Sequence, residues 1–229
     1  MDVIIDAWPK ILDSFQLTLK LAVYSAVGSM LLGTVLAVFR VSPVPVLRWF
    51  GGFVVYTVRN TPLTLVMFFA LFGLNYQLGI TFNDEFLYKN VFWLAVLALT
   101  VYTSTFVCEV LRSGINTVEA GQAEAARAIG LTFTQNLRYV ILPQAFRAVI
   151  APMGSVLIAL TKNTTVAVTI GVVTAEGVNE ASGQMKSMME VNGDIIPLIF
   201  LVFAVGFMCL TLPMGLVTTW AARKWGVVR

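Results

Sequence analysis

The sequence predicts an all-α integral membrane protein with five transmembrane helices and short cytoplasmic helices, its N-terminus outside and its C-terminus in the cytoplasm. Three observations predict it. The 229 residues are 58% hydrophobic with a mean hydropathy of +0.85, and only 12% are charged, against about 25% in a soluble domain. Five stretches are long and apolar enough to cross the hydrocarbon, which takes about 20 residues of helix. Basic residues gather in alternate connections, as the positive-inside rule requires.

The whole chain, residues 1–229, reads as one transmembrane domain without repeats or low-complexity linkers. The approximate spans are residues 15–39, 49–74, 91–111, 145–173 and 195–221. The N-terminal MDVIIDAWPK is acidic and lacks a basic n-region, so it reads as mature sequence rather than a signal peptide. With the N-terminus outside, the cytoplasmic side receives Arg40, Arg48, Arg112, Arg127, Arg138, Arg147, Arg223, Lys224 and Arg229. The outer side keeps Lys10, Lys89 and Lys186, with most of the acids: Asp2, Asp6, Asp13, Asp84, Glu85, Glu176, Glu180, Glu190 and Asp194. Trp8, Trp49, Trp93, Trp220 and Trp225 fall near span ends, where an aromatic belt belongs. Lys20, just inside the first span, is within snorkelling reach of the outer headgroups.

Several chemistries find no support. The chain has no histidine, and Cys108 and Cys209 stand alone in apolar runs without metal or disulfide spacing. No GxxxxGK[ST] phosphate loop is present. Nothing suggests an enzyme, a cofactor of the chain's own or a nucleic-acid partner; the expected surroundings are membrane lipid.

Polar residues interrupt two spans. In the second, Arg59-Asn60-Thr61-Pro62 lies about 15 Å from the cytoplasmic entry at 1.5 Å per residue, near mid-membrane. An arginine there costs about 2.5–3.5 kcal/mol on insertion scales and needs polar company. Pro62 cannot donate a hydrogen bond, so the helix is expected to break and leave the Val58 carbonyl without its usual partner. Such breaks are tolerated where they line a cavity or pack in protein. In the fourth span, Lys162-Asn163-Thr164-Thr165 interrupts two apolar runs. Two readings stand for Arg59 and Lys162. In one they hold a passing carboxylate, with Asn60, Thr61, Asn163, Thr164 and Thr165 as hydrogen-bonding neighbours. In the other they pair with Glu109 or a second subunit and form a gate or interface. The acidic outer segment from Ala175 to Asp194 either folds over a pore mouth or is a solvated loop. Gly28, Gly33, Gly154 and Gly206 suit close helix packing.

Residues 119–143, between spans three and four, are rich in helix formers, and Gly130 suits a left-handed helix stop. Thr132 is placed to cap a second short helix through Phe133, Leu137, Arg138 and Tyr139, with Pro143 in the first turn of span four.

The pattern Glu124-Ala125-Ala126, three residues, Gly130, nine residues, Val140-Ile141-Leu142-Pro143 resembles the EAA loop of bacterial ABC importer permeases, with Val140 where that family usually has isoleucine. Arg59-Asn60-Thr61-Pro62-Leu63, Lys162-Asn163-Thr164-Thr165, Tyr102-Thr103-Ser104-Thr105-Phe106 and Arg112-Ser113-Gly114-Ile115-Asn116-Thr117-Val118 resemble the polar amino-acid uptake subgroup, which has five spans per subunit. Within it the chain is most similar to the glutamate-uptake permeases of Gram-positive bacteria, and sister importers of glutamine, aspartate, arginine and histidine share much of the framework. The resemblance implies a multi-pass permease of the bacterial cytoplasmic membrane that forms half of an import pathway by alternating access. It implies a separate ATP-binding subunit, which carries ATP and Mg and docks on a coupling helix containing Glu124, Ala125, Ala126, Arg127 and Gly130. It further implies an extracytoplasmic substrate-binding protein and a second permease, a related chain more than a second copy. An ATP-independent secondary transporter or channel needs internal repeats or a mid-membrane ion-coupling carboxylate, and the sequence offers neither.

Overall fold

The structure is a computed structural model that describes residues 2–83 and 85–226, the side chains of Asp2 and Phe133 excepted. Arg229 and Asp84, counted above in the charge asymmetry, lie outside the described residues.

Five helical passages alternate in direction. Helix α1 runs Asp2–Val41. Helix α2 (Pro45–Arg59) turns back along it, with Gly51 against Phe39 and Arg40. The chain then bends by 105° before α3 (Leu63–Phe68), which continues as a π-helical stretch over Phe69–Gln77. Helix α4 (Leu87–Asn116) lies parallel to α1: Gly28 faces Thr100, Gly33 faces Val107, and Arg40 reaches Glu109. After the short helices α5 (Ala120–Ala128) and α6 (Phe133–Asn136), helix α7 (Leu142–Asn163) returns antiparallel to α4, with Gly114 against Val149. A 3-10 stretch, Thr164–Ile170, ends at Gly171, where φ is +71°. Helix α8 (Ala181–Val191) precedes α9 (Ile196–Trp225), which descends parallel to α1 and antiparallel to α7, with Gly206 against Phe15 and Gly154 against Thr218. Among the described residues the only extended pairing is a single bridge between Val173 and Asn179.

Four helices are long and apolar enough to cross a membrane, and the bent pair α2–α3 makes a fifth passage. The second span is therefore not one rod over residues 49–74. Thr61 and Pro62 form a hinge, and the Val58 carbonyl, expected to lose its partner, accepts the Thr61 N–H at 3.1 Å. Proline removes the next donor, and the chain closes a tight turn instead of propagating the helix.

The first span is also longer than residues 15–39. Its 40 residues make a rod of about 60 Å, twice the hydrocarbon thickness. Asp6, Lys10 and Asp13 lower the local hydropathy, but helix bonding continues because Ile4 and Ile11 pack with Met188 of α8 and Ile199 and Phe203 of α9. The segment from Ala175 to Asp194 is not a solvated loop. It contains α8, with Ala181, Gly183 and Met188 buried, capped by Glu180. Tertiary burial overrode a polar, glycine-bearing composition.

The larger core joins α1, α3, α4 and the 3-10 stretch, through Leu21, Met67, Leu94, Leu99, Leu160 and Ala167 among others. Helix α4 is its axis. All connections rich in Arg and Lys share one end: the α1–α2 turn, the segment between α4 and α7, and the foot of α9, where Lys224 and Trp225 meet Arg147.

Candidate functional site

The polar motifs of spans two and four converge on α4. Tyr102, Thr103 and Phe106 of α4 face Ser155, Val156, Ala159, Leu160 and Asn163 of α7 across a cavity of about 220 Å³. Residues 102, 103 and 106 share one helical face by their spacing, and α7 runs antiparallel, so Asn163 meets the Tyr102 level and Ser155 the Phe106 level. Arg59 lies over the Phe106 ring, its guanidinium carbon 5.6 Å from the centroid. The Thr103 hydroxyl oxygen is buried without a hydrogen-bond partner. A buried hydroxyl without a partner is an unmet hydrogen-bonding need beside the cavity.

The predicted site residues divide by geometry. Asn163 lines the cavity, and Arg59 lies over Phe106, one of its wall residues. Asn60 donates to the Tyr56 carbonyl at 2.8 Å and Thr61 to the Thr57 carbonyl at 2.9 Å, so both donors are engaged on their own helix. Thr164 is fully buried and donates to the Thr161 carbonyl at 2.7 Å. Thr165 donates to the Lys162 carbonyl at 2.8 Å. Lys162 is exposed and is not one of the residues that line the cavity. Phe106 and Tyr102 are about 6 Å apart along α4, so Arg59 and the end of α7 stand at neighbouring depths.

Glu109, a possible partner for Arg59 and Lys162, is taken by others. Its carboxylate accepts from Arg40, and from Arg112 at 3.0 Å. Among the described residues no carboxylate lies within salt-bridge distance of Arg59. A cation–π contact is worth about 0.5–2 kcal/mol, less than the cost of about 2.5–3.5 kcal/mol for arginine at this depth. The remainder falls to groups outside the described residues, such as water, an anion or a second subunit.

The second candidate region is the basic-end connection. Helix α5 stops at Gly130, with φ +88°, the Gly130 N–H donating to Arg127 and the Leu131 N–H to Ala126. Thr132 and Gln135 then form a reciprocal cap: the Thr132 N–H donates to Gln135 Oε1 at 2.9 Å and the Gln135 N–H to Thr132 Oγ1 at 3.4 Å. The expected separate second helix through Tyr139 does not form as such. Helix α6 passes through a π-helical turn at Leu137–Ile141 straight into α7, because Pro143 at the helix start needs no donor. Asn136 clamps the two helices by donating to the Ala123 carbonyl at 2.9 Å. Ala126 is buried against this clamp, while Glu124, Ala125 and Arg127 are exposed and Ile129 is 79% exposed.

Sequence reasoning passed over Tyr102, Thr103, Phe106 and Ser155 as wall residues, although the Tyr-Thr-Ser-Thr-Phe run carried the signal in its three- and four-residue spacing. It also missed the Arg40–Glu109–Arg112 triad, which brings together residues 69 positions apart.

A model of the family described as the binding-protein-dependent transport system inner membrane component matches residues 29–227. The glutamate transport system permease protein GluC of Corynebacterium glutamicum is 54% identical over 215 residues, covering 92% of each chain. The probable glutamine ABC transporter permease protein GlnM of Bacillus subtilis is 32% identical, covering 98% of this chain and 97% of that one. The crystal structure of an amino acid ABC transporter with histidines shares the fold, with a TM-score of 0.83, 24% identity and 97% of both chains covered. The chain belongs to the family of inner-membrane components of binding-protein-dependent transport systems, and is a multi-pass membrane permease of that class.

Proposed function

We propose that this permease forms half of the translocation pathway of an ATP-driven glutamate importer, and that the cavity between α4 and α7 takes the substrate. The observation that carries the proposal is Arg59, without an ion-pair partner among the described residues, above Phe106 beside a small and mostly apolar cavity into which Asn163 brings a polar side chain. At about 220 Å³ the cavity falls below the range of about 300–1,000 Å³ usual for drug-sized ligands, which suits one amino acid and excludes a peptide. Arg59 provides the charge for a carboxylate, and Asn163 and the Thr103 hydroxyl provide neutral contacts. Lys162 and Thr165, at the end of α7, would meet substrate on its approach; Asn60, Thr61 and Thr164 shape the Thr61–Pro62 hinge and the 3-10 end of α7 rather than touch it. Two cations at neighbouring depths favour a dicarboxylic amino acid over glutamine or a basic one, in keeping with the higher identity to GluC than to GlnM.

The basic end faces the cytoplasm and the N-terminus lies outside. Helix α5 is the coupling helix, with Glu124, Ala125, Arg127 and Ile129 meeting a groove on the ATP-binding subunit, which holds ATP and Mg. Ala126 and Gly130 set its shape. The second permease is a related chain, and the binding protein docks at the outer end. When ATP draws the two engine subunits together, the coupling helices follow. The hinge at Thr61–Pro62 and the 3-10 end of α7 then turn the cavity outward.

Reconstitution with the ATPase and binding protein tests this. Uptake of labelled glutamate is expected to be competed by glutamate and aspartate and not by glutamine or arginine. Competition by glutamine or arginine reassigns Arg59 to the shared α-carboxylate and refutes the dicarboxylate reading.

A further inference from the structure

The outer helix α8 is fastened to the polar end of α7 by a buried carboxyl that the transport path itself does not use. Glu180 is 0% exposed. Its Oε2 accepts the Ser182 N–H at 2.9 Å and its Oε1 accepts the Gly183 N–H at 2.7 Å. The Ser182 hydroxyl contacts Glu180 Oε1 and also lies 2.9 Å from the Thr165 carbonyl. Two further bonds fix the same corner: Glu180 N–H to the Val172 carbonyl at 3.1 Å, and Ala181 N–H to Thr18 Oγ1 of α1 at 2.9 Å.

A serine hydroxyl has one proton. Here it faces two acceptors, the Thr165 carbonyl and the Glu180 carboxyl, and it cannot serve both while Glu180 is ionised. A proton on Glu180 satisfies the chain: Glu180 donates to Ser182 Oγ, and Ser182 donates to Thr165. Burial pushes the Glu180 carboxyl above the usual carboxylate range, against the Ser182 and Gly183 donors that favour the ion. The charged groups on the elements packed around it are Asp6, Lys10, Asp13 and Lys20 of α1, Lys162 of α7, Glu176 of the turn, Lys186 and Glu190 of α8, and Asp194 before α9, with Arg40, Arg147, Arg223 and Lys224 at the far ends of α1, α7 and α9. Lys186 reaches Glu190 at 3.8 Å, and among the described residues no cation lies within salt-bridge distance of Glu180.

We propose that Glu180 and Ser182 are positioning residues for the polar end of α7, joined to Thr165 by a proton-dependent hydrogen-bond chain that holds α8 against the outer side of the path. The role rests on the assignment of the Lys162–Thr165 segment to the substrate path. When Glu180 gives its proton to outer water, the Ser182 hydroxyl turns to the carboxylate and the Thr165 carbonyl loses that donor. The sign follows from the raised folded-state value. The tie is complete at low pH and is lost as pH rises through that value, and between the unfolded and folded values stability falls with rising pH.

Hydrogen exchange on the assembled transporter in lipid nanodiscs, corrected for intrinsic rates and scanned from about pH 5 to about pH 9, reads the tie directly. In the wild type, protection of amides 165–171 is expected to fall roughly three- to tenfold across the scan, the net worth of one hydrogen bond. Glu180→Gln cannot ionise and keeps an N–H for Ser182 Oγ, so its profile is expected to be flat. Ser182→Ala is expected to be flat at the low-protection end, and Ser182→Thr, which keeps the hydroxyl, to retain the pH dependence. A flat wild-type profile, or a Glu180→Gln profile as steep as the wild type, overturns the proposal. If Ser182→Ala fails to fold, the other three profiles decide. Uptake that proves indifferent to acidic substrates while the exchange profile holds refutes the substrate assignment and leaves the tie standing.

Discussion

Helices α1 and α4 are unbroken over 40 and 30 residues, whereas α2–α3 breaks at Thr61–Pro62 and α7 tightens into a 3-10 stretch at Asn163–Thr164. The contrast follows from what lies along each seam. Between α1 and α4, glycines face side chains: a Cβ on Gly33 would stand 2.6 Å from Val107 and one on Gly28 2.7 Å from Thr100. Small residues let two backbones approach and gain dispersion contact where lipid offers no hydrophobic drive. The broken spans instead carry Arg59, Asn60, Lys162 and Asn163, whose donors and charges need a cavity. One half of the molecule is a frame and the other half carries the breaks. A transporter needs both, because only a piece hinged on something fixed can alternate between two sides.

Breaking the frame is expected to have the largest effect. Gly33→Val places branched carbons where even a Cβ meets Val107 and the Ser104 carbonyl at 2.8 Å. Overpacking of this kind costs about 1–3 kcal/mol or more, and backbone on one side of the contact cannot yield. Little folded protein is expected in a detergent-unfolding assay, and uptake falls with it. The next largest effect separates folding from function. Gly130→Val forces a β-branched residue to φ +88°, a cost of about 1–2 kcal/mol confined to the tip of the connection. The chain is expected to insert normally while uptake and binding-protein-stimulated ATP hydrolysis are both abolished. Glu124→Lys should do the same without any backbone strain. Full uptake in either variant would reject α5 as the coupling helix.

The frame was legible in the sequence and the breaks only in part. Apolar length predicted five passages, and the charge asymmetry gathered Arg40, Arg48, Arg112, Arg138 and Arg147 at one end before any contact was known. Periodicity is a local property, so it marked Pro62 and the Lys162 motif as interruptions. It carried no information on the 105° bend, which depends on how Leu63 and Met67 pack against α4 and the 3-10 stretch. For the same reason α8 was hidden. Its polar sequence reads as loop, and only the cap at Glu180 and the burial of Ala181 and Met188 make it a helix. The cavity wall at Tyr102, Thr103 and Phe106 was written in the sequence as a polar run on an apolar helix, but its partner wall on α7 is some 50 residues away and is supplied by topology alone.

A smaller effect than these sharpens the break itself. Arg59→Gln is expected to shift the unfolding midpoint only slightly, since the side chain is exposed, has no ion-pair partner among the described residues, and loses a cation–π contact worth about 0.5–1 kcal/mol at an exposed site. Uptake should fall about tenfold or more, the loss of one charge-assisted hydrogen bond worth about 1.5–3 kcal/mol. Arg59→Lys keeps the charge but loses the planar stacking on Phe106 and the bidentate fork, and should recover only part of the rate.

The smallest expected effect lies where frame and break meet. Glu109 holds Arg40 of α1 and Arg112 of its own helix, one turn from the ring that Arg59 covers. Glu109→Gln leaves two guanidinium groups facing each other with a single carbonyl between them. A fully buried pair broken in this way costs about 3–5 kcal/mol. The side chains here keep 21–36% exposure, so water moderates the penalty to about 1 kcal/mol. The loss should appear as stability, with uptake per folded molecule preserved. A double-mutant cycle then distinguishes two of the three cations that stand near this carboxylate, Arg40 and Arg59. Arg40→Gln combined with Glu109→Gln should show a coupling of about 1 kcal/mol, while Arg59→Gln combined with Glu109→Gln should add within about 0.3–0.5 kcal/mol. Strong coupling between Arg59 and Glu109 would place Arg59 in the frame, and the carboxylate it awaits would be one the chain already carries.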